Sequence, residues 1–211
     1  MIPPPIYVIL DTQYAAPPFE SLIGTIARTG VGWVQLREKT ASSRIFFERA
    51  RSFVASCHQH GLTAFINDRV DIASLTDADG VHLGQEDLPV EVARQLLGPG
   101  KIIGYSTHNR RQALEAERSS ADYVAIGPAY PTASKQNPDP VVSSEELKII
   151  RALVSKPLVA IGGITLENGY PLWFEHHHRS RHPRHPPVRQ RGTPHPSVSR
   201  PGSFRIGKIH I

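Results

Sequence analysis

The sequence predicts an α/β protein built as a (β/α)8 barrel of the TIM type, lacking its last helix–strand–helix unit and followed by a disordered basic tail. Three observations predict it. Short, continuously apolar runs alternate with amphipathic stretches, the pattern of parallel strands covered by helices. Seven such units follow at intervals of roughly 20–30 residues, which favours a barrel over an open doubly wound sheet. Polar residues gather where the strands end, and that is where barrels place their chemistry. An open dinucleotide-binding sheet would want G-x-G-x-x-G after strand one; the sequence there is Asp11-Thr12-Gln13-Tyr14.

The elements follow in order. Ile6–Leu10 (IYVIL) is an apolar first strand, and Phe19–Thr29 has helical spacing. Gly32–Leu36 (GWVQL) is the second strand, and Ser42–Gln59 a long amphipathic helix carrying Arg44, Glu48, Arg49 and Arg51. Thr63–Ile66 and Gly80–Leu83 are strands three and four, separated by a short helix at Val70–Leu75. Pro89–Leu97 is a helix closed by Gly98-Pro99-Gly100, and Lys101–Tyr105 the fifth strand. Arg110–Arg118 is a helix, Tyr123–Ile126 the sixth strand, Glu145–Leu153 a helix and Leu158–Ile161 the seventh strand.

Charge is distributed unevenly. The chain has 211 residues and a net charge of +5, but residues 170–211 hold eight Lys/Arg against one acid, Glu175, and carry +7 themselves. The body is therefore mildly acidic at −2, which gives no support for a nucleic-acid-binding face. Cys57 is the only cysteine, so no internal disulfide or Cys-based zinc site can form, as in a reducing cytosol. Neither a signal peptide nor an apolar run of membrane-spanning length is visible. The expectation is a cytoplasmic protein acting on small molecules, without nucleic-acid or membrane partners. The oligomeric state, a homo-oligomer included, stays open.

Strand-end residues supply the chemistry. Arg37 and Lys39 lie two apart, so their side chains leave in the same sense, and with Lys135 they could hold a diphosphate; alone, they could equally be stray cations on a solvated loop. Gln35 would point into the barrel mouth, where an amide is costly unless it binds something. Asp68 and Asp87 follow strands three and four, and two carboxylates there can hold Mg2+; each could instead cap the helix that follows it. His82 reads as a packing and hydrogen-bonding residue, because no second His stands at ligand spacing. Thr132, Ser134 and Lys135 form a hydroxyl–hydroxyl–cation loop suited to a phosphate, or an ordinary turn set by Pro131. Gly162-Gly163 allows close backbone approach to a phosphate.

The joint order is more specific than its parts. Q-L-R-x-K, I-N-D-R-V-D-I-A, G-V-H-L-G-Q-E-D-L-P, G-Y-S-T-H, G-P-x-x-P-T-x-S-K and A-I-G-G-I-T stand in sequence at successive strand ends. This array resembles thiamine-phosphate synthase, from strand one to strand seven. The resemblance implies a transferase. It would condense 4-amino-2-methyl-5-(diphosphooxymethyl)pyrimidine with thiazole ethyl phosphate carboxylate, giving thiamine phosphate and pyrophosphate with Mg2+ as cofactor. It implies that Gln35, Arg37 and Lys39, with the intervening Leu36 and Glu38, form the diphosphate segment, completed by Ser106 and Lys135. Asn67 would touch the pyrimidine, and Asp68 and Asp87 would bind Mg2+. Thr132, Ala133, Ser134 and Gly163 would receive the thiazole phosphate. Among these, Arg37, Lys39, Ser106 and Lys135 would be the catalytic set.

After Asn168 the pattern breaks. The family would continue with a helix, a strand reading roughly G-V-A-V-I-S and a last helix; here Pro171-Leu172-Trp173-Phe174 leads into His-, Arg- and Pro-rich sequence, a composition that predicts disorder. A change of reading frame near codon 169 would account for the abruptness, and an alternative frame encoding an apolar strand followed by Ser would test it. Strands one and seven are then expected to have open edges, and this chain to fold poorly and turn over slowly. Two other readings are a thiazole tautomerase-like enzyme, and an inactive remnant or basic-tailed binding protein. Arg37, Lys39, Asp68, Asp87 and Lys135 together favour the synthase over the tautomerase, whereas a salt-sensitive interaction with polyanions, lost on deleting residues 170–211, would mark the binding protein.

Overall fold

Period-two alternation within the strands builds the molecule. The computed structural model describes residues 6–132, 139–165, 167–169 and 205–207. Its elements are β1 (Ile6–Asp11), α1 (Glu20–Ala27), β2 (Trp33–Arg37), α2 (Ser43–Gln59), β3 (Thr63–Asn67), α3 (Val70–Leu75) and β4 (Gly80–Leu83). They continue with α4 (Val90–Leu97), β5 (Ile102–Thr107), α5 (Arg110–Arg118), β6 (Tyr123–Ile126), α6 (Ser144–Leu153), β7 (Leu158–Ala160) and β8 (Arg205–Gly207). Strands β1 to β7 and helices α1 to α6 fall within two residues of the sequence expectation at each end. Ser42, Asn109 and Ser143 accept hydrogen bonds from the N–H groups of Ile45, Gln112 and Glu146, starting α2, α5 and α6 at these side chains.

Each strand pairs in parallel with its successor, and the ring is closed in the order β1 to β8. Alternate residues face opposite sides. One set, including Val8, Leu10, Val34, Leu36, Ile66 and Val81, is buried against Ile23, Phe46, Phe53 and Val54 of the helices. The other set fills the barrel with Tyr7, Trp33, Phe65, Ile102, Tyr123, Ala125 and Val159. The rings of Tyr7, Trp33, Phe65 and Tyr123 lie with centroids 4.8–6.1 Å apart. Gly104 makes room for Tyr123: a Cβ there would stand 2.0 Å from Tyr123 Cζ.

The eighth strand corrects one expectation. Open edges were expected on strands one and seven, but Arg205–Gly207 lies between them, with Ile6 opposite Ile206, Tyr7 opposite Gly207 and Ala160 also opposite Ile206. Closure of this kind gives the unpaired N–H and C=O groups of two edge strands hydrogen-bond partners. The sequence reading averaged this segment into a basic, Pro-rich tail, whereas Phe204-Arg205-Ile206-Gly207 by itself contains no proline. The rest of the 170–211 region, for which disorder was expected, lies outside the described residues.

Candidate active site

The C-terminal ends of the strands surround an open cavity. Its walls include Ile9, Gln35, Arg37, Asn67, His82, Ser106, His108, Thr132, Asp139 and Gly162. Strand alternation decides which members of the Gln35–Lys39 segment can reach it. Gln35 and Arg37 line the cavity, and Lys39 continues their phase to the rim beside Asp68. Leu36 and Glu38, assigned with them to the diphosphate segment, have side chains that point elsewhere. Leu36 is fully buried in the sheet–helix layer. Glu38 accepts hydrogen bonds from the N–H groups of Thr40 and Ala41, both at 2.9 Å, and pairs with Arg49. Burial raises the Glu38 carboxyl, but these donors outweigh it and hold it down at about 2. Its work is to fasten the loop after β2.

Each cation is held by a carboxylate. Arg37 is paired with Asp11, which is 2% exposed at the end of β1. Asp11 also accepts the Gln13 N–H at 3.0 Å. Lys39 is paired with Asp68. Gln35 donates its Nε2 hydrogen to Tyr7 Oη at 2.8 Å, so the cost of burying its amide is met in part inside the barrel. Asn67 is 7% exposed, and its side-chain amide makes no hydrogen bond among the described residues; it stands open to the cavity it lines.

Asp68 and Asp87 converge on one side of the rim. Asp68 has φ +64°, a left-handed backbone that Asp tolerates better than most residues. Neither carboxylate caps a helix: α3 starts after Arg69 and α4 after Pro89, both without side-chain caps. Asp87 accepts the Gly84 N–H at 2.7 Å. Burial raises the Asp87 carboxyl above its ordinary value, the Gly84 bond opposes this, and contact with Asp68 raises it further. Two carboxylates in contact are a site that a cation relieves, and few protein ligands suit Mg2+. No cluster of three or more His, Cys, Asp or Glu side chains gathers around a metal position among the described residues.

His82 packs and hydrogen-bonds, as expected. Its ring stacks on Tyr123 at 5.6 Å between centroids, with Nδ1 2.8 Å from Tyr123 Oη and Nε2 2.8 Å from Ser106 Oγ. Ser106 and Thr132 line the cavity. Gly162 and Gly163 have φ of +93° and +63°, and a Cβ on Gly163 would stand 2.4 Å from the Pro131 carbonyl oxygen. The pair therefore lets the loop after β7 lie against the loop after β6. Ala133, Ser134 and Lys135, assigned to the phosphate sites, lie outside the described residues.

The sequence reading missed Asp11, His108 and Asp139. Asp11 was legible in principle, because it continues the inward phase of Tyr7 and Ile9 to a strand end. His108 Nδ1 lies 2.7 Å from the Gly127 carbonyl oxygen and 3.4 Å from Asp139 Oδ2; the pair spans 31 positions, and no local pattern announces it. Among the described residues no helix is long and apolar enough to cross a membrane.

Comparison with known proteins gives a consistent result. The family model TMP-TENI, thiamine monophosphate synthase, matches residues 6–177. A thiamine-phosphate synthase from Chlorobium luteolum is 46% identical over 168 residues, covering 80% of this chain and 78% of that one. Another, from Chlorobium phaeovibrioides, is 51% identical over 139 residues, 66% of each chain. The solved structure of a thiamine phosphate pyrophosphorylase from Pyrococcus furiosus superposes with a TM-score of 0.67 at 37% identity, covering 77% of each chain.

Proposed function

The chain belongs to the thiamine monophosphate synthase family, and from that premise we propose that its cavity joins a pyrimidine diphosphate to a thiazole phosphate. The observation that carries this reading is the convergence of Arg37, Asn67 and Ser106 on one cavity, with Lys39, Asp68 and Asp87 along its rim. In the reaction the bond from the pyrimidine methylene carbon to the diphosphate oxygen breaks, and its electron pair leaves with pyrophosphate. The thiazole nitrogen then supplies the pair for the new C–N bond. With the carboxylate form of the thiazole, CO2 departs from the ring carbon and a solvent proton replaces it. An aromatic nitrogen with a free lone pair needs no base to activate it.

The chain's own residues serve leaving and holding. Arg37, set by Asp11, offers a guanidinium to the diphosphate, and Lys39 a compact charge beside it. Ser106 offers a hydroxyl at the end of β5. The free amide of Asn67 receives the pyrimidine edge. Thr132 and the Gly162-Gly163 turn, with Ser134, take the thiazole phosphate, and Lys135 completes the diphosphate site with Ser106. Asp68 and Asp87 fit Mg2+: their contact raises the Asp87 carboxyl, and a bound divalent cation removes that repulsion. Such an ion stabilises negative charge on the departing diphosphate. Holding both substrates in one mouth lowers the entropic barrier. A cytoplasmic location fits the fully buried, unreactive Cys57 thiol, pushed up by burial to about 12.

The test is thiamine phosphate formation by the purified 211-residue chain with both substrates and Mg2+, beside Asp68→Ala. The expected outcome is turnover that the substitution abolishes. No turnover from the parent chain would refute the activity for this chain and favour the inactive-remnant reading, and turnover that survives Asp68→Ala would refute the metal assignment.

A further inference from the structure

Just beyond β5 stands a second cavity residue, His108, to which the reaction as described gives no task. Thr107 turns away: its side chain is buried, and its hydroxyl donates to the Ala125 carbonyl at 2.8 Å. Ser106 and His108, one on each side of it, keep the inward phase and line the cavity. His108 is held firmly. Its backbone N–H donates to Gln112 Oε1 at 2.7 Å, and its side chain is only 16% exposed. Nδ1 stands 2.7 Å from the Gly127 carbonyl oxygen and 3.4 Å from Asp139 Oδ2.

The Gly127 partner decides the tautomer. A carbonyl oxygen can only accept, so Nδ1 carries a hydrogen in either charge state of the ring. The proton that comes and goes is therefore the one on Nε2. That nitrogen has no hydrogen-bond partner among the described residues. With Nε2 protonated the ring is a cation, and Asp139 stands on its Nδ1 side as countercharge. A histidine oriented and charge-balanced through one nitrogen, with the other left for the cavity it lines, is suited to proton transfer.

One step of the reaction needs a proton and has no donor assigned. When the thiazole carries its carboxylate, loss of CO2 leaves an electron pair on the ring carbon, and CO2 can return until a proton takes that pair. This carbon adjoins the nitrogen that bonds to the pyrimidine methylene, so it lies between the diphosphate and the thiazole phosphate. His108 lies between the residues assigned to those two groups. It is two residues beyond Ser106, and it is hydrogen-bonded to Gly127, which leads into the loop of Thr132. We propose that His108 is a catalytic residue, the acid that delivers the Nε2 proton to this ring carbon, with Asp139 as its countercharge. The Nε2–H bond breaks as the C–H bond forms from the pair that CO2 left behind. The neutral ring regains its proton from solvent. This rests on the synthase reading of the cavity and assigns a residue to the proton step within it.

The test gives the full chain, with Mg2+ and the pyrimidine diphosphate, two thiazole phosphates in turn, one with the carboxylate and one without. The second already has hydrogen on that carbon and needs no proton. The variant is His108→Asn, whose Nδ2 can still donate to the Gly127 carbonyl. Expected is a kcat loss on the order of a hundredfold with the carboxylated thiazole, and a loss about tenfold smaller with the other. A coupled product that keeps its carboxylate should also accumulate with the variant, as read by mass spectrometry. Equal losses on both thiazoles would make His108 a structural clasp between β5 and β6 and overturn the proposal. Parent-like turnover of the carboxylated thiazole by the variant would overturn it too, as would a parent chain that uses only the uncarboxylated one. If the parent chain forms thiamine phosphate from neither, the synthase reading itself falls and takes the proposal with it.

Discussion

Gly104→Ala is the sharpest perturbation the barrel interior offers. Replacing a strand glycine by alanine ordinarily stabilises, by about 0.5–1 kcal/mol. Here the added Cβ would stand 2.0 Å from Tyr123 Cζ and 2.2 Å from its Oη, far inside contact distance. Neither atom is the end of a flexible chain; the ring is held by Tyr7, Trp33 and Phe65. Overpacking of this kind costs about 2 kcal/mol. Displacing the Tyr123 hydroxyl from His82 and Tyr7 adds about 1–2 kcal/mol. With the ordinary alanine gain subtracted, the expected net loss is about 2–3.5 kcal/mol, read as a lowered urea midpoint at unchanged m. Tyr123→Phe gives little relief, because Cζ remains. Tyr123→Leu removes the obstacle, so adding Gly104→Ala to it should cost less than about 1 kcal/mol. Equal losses in the two backgrounds, or a loss below about 1 kcal/mol in the parent chain, would refute the packing argument.

Three further outcomes are expected. Asp87→Asn should raise the melting temperature at pH 7 and abolish the further rise given by Mg2+. The folded-state value of Asp87 is raised, so folding is favoured by protonation and stability falls as pH climbs from the ordinary carboxylate range through the raised value; an unchanged melting temperature would contradict the Asp68 contact. Glu38→Gln should remove a stability contribution that is full above about pH 4.5 and lost as pH falls toward about 2, so parent and variant unfolding curves should converge in acid; curves that stay equally far apart from pH 7 to pH 2 would refute it. Ile206→Pro removes the central N–H of β8 and should cost about 1–3 kcal/mol in urea unfolding, whereas an unmoved midpoint would mean that β8 adds nothing to closure.

The local pattern of the chain determined most of the barrel. Continuously apolar strands of four to six residues, such as Ile6–Asp11 and Tyr123–Ile126, and helices with capping Ser or Asn at their starts are written in adjacent residues, and so were their order and boundaries. The same alternation determined that Arg37 follows Gln35 into the mouth, and it could have excluded Leu36 and Glu38, had the phase been applied to every residue of the segment. Tertiary structure alone decided the pairings across the ring. Asp11 meets Arg37 across 26 positions, Tyr123 meets Tyr7 across 116, and His82 meets both Tyr123 and Ser106. Such contacts depend on strand register and on which glycine leaves space, and neither can be read from a window of neighbouring residues. Closure is the extreme case. Arg205–Gly207 enters beside Ile6 and Ala160, not because its composition marks it as a strand, but because two unpaired edges attract any segment that can offer them backbone hydrogen bonds.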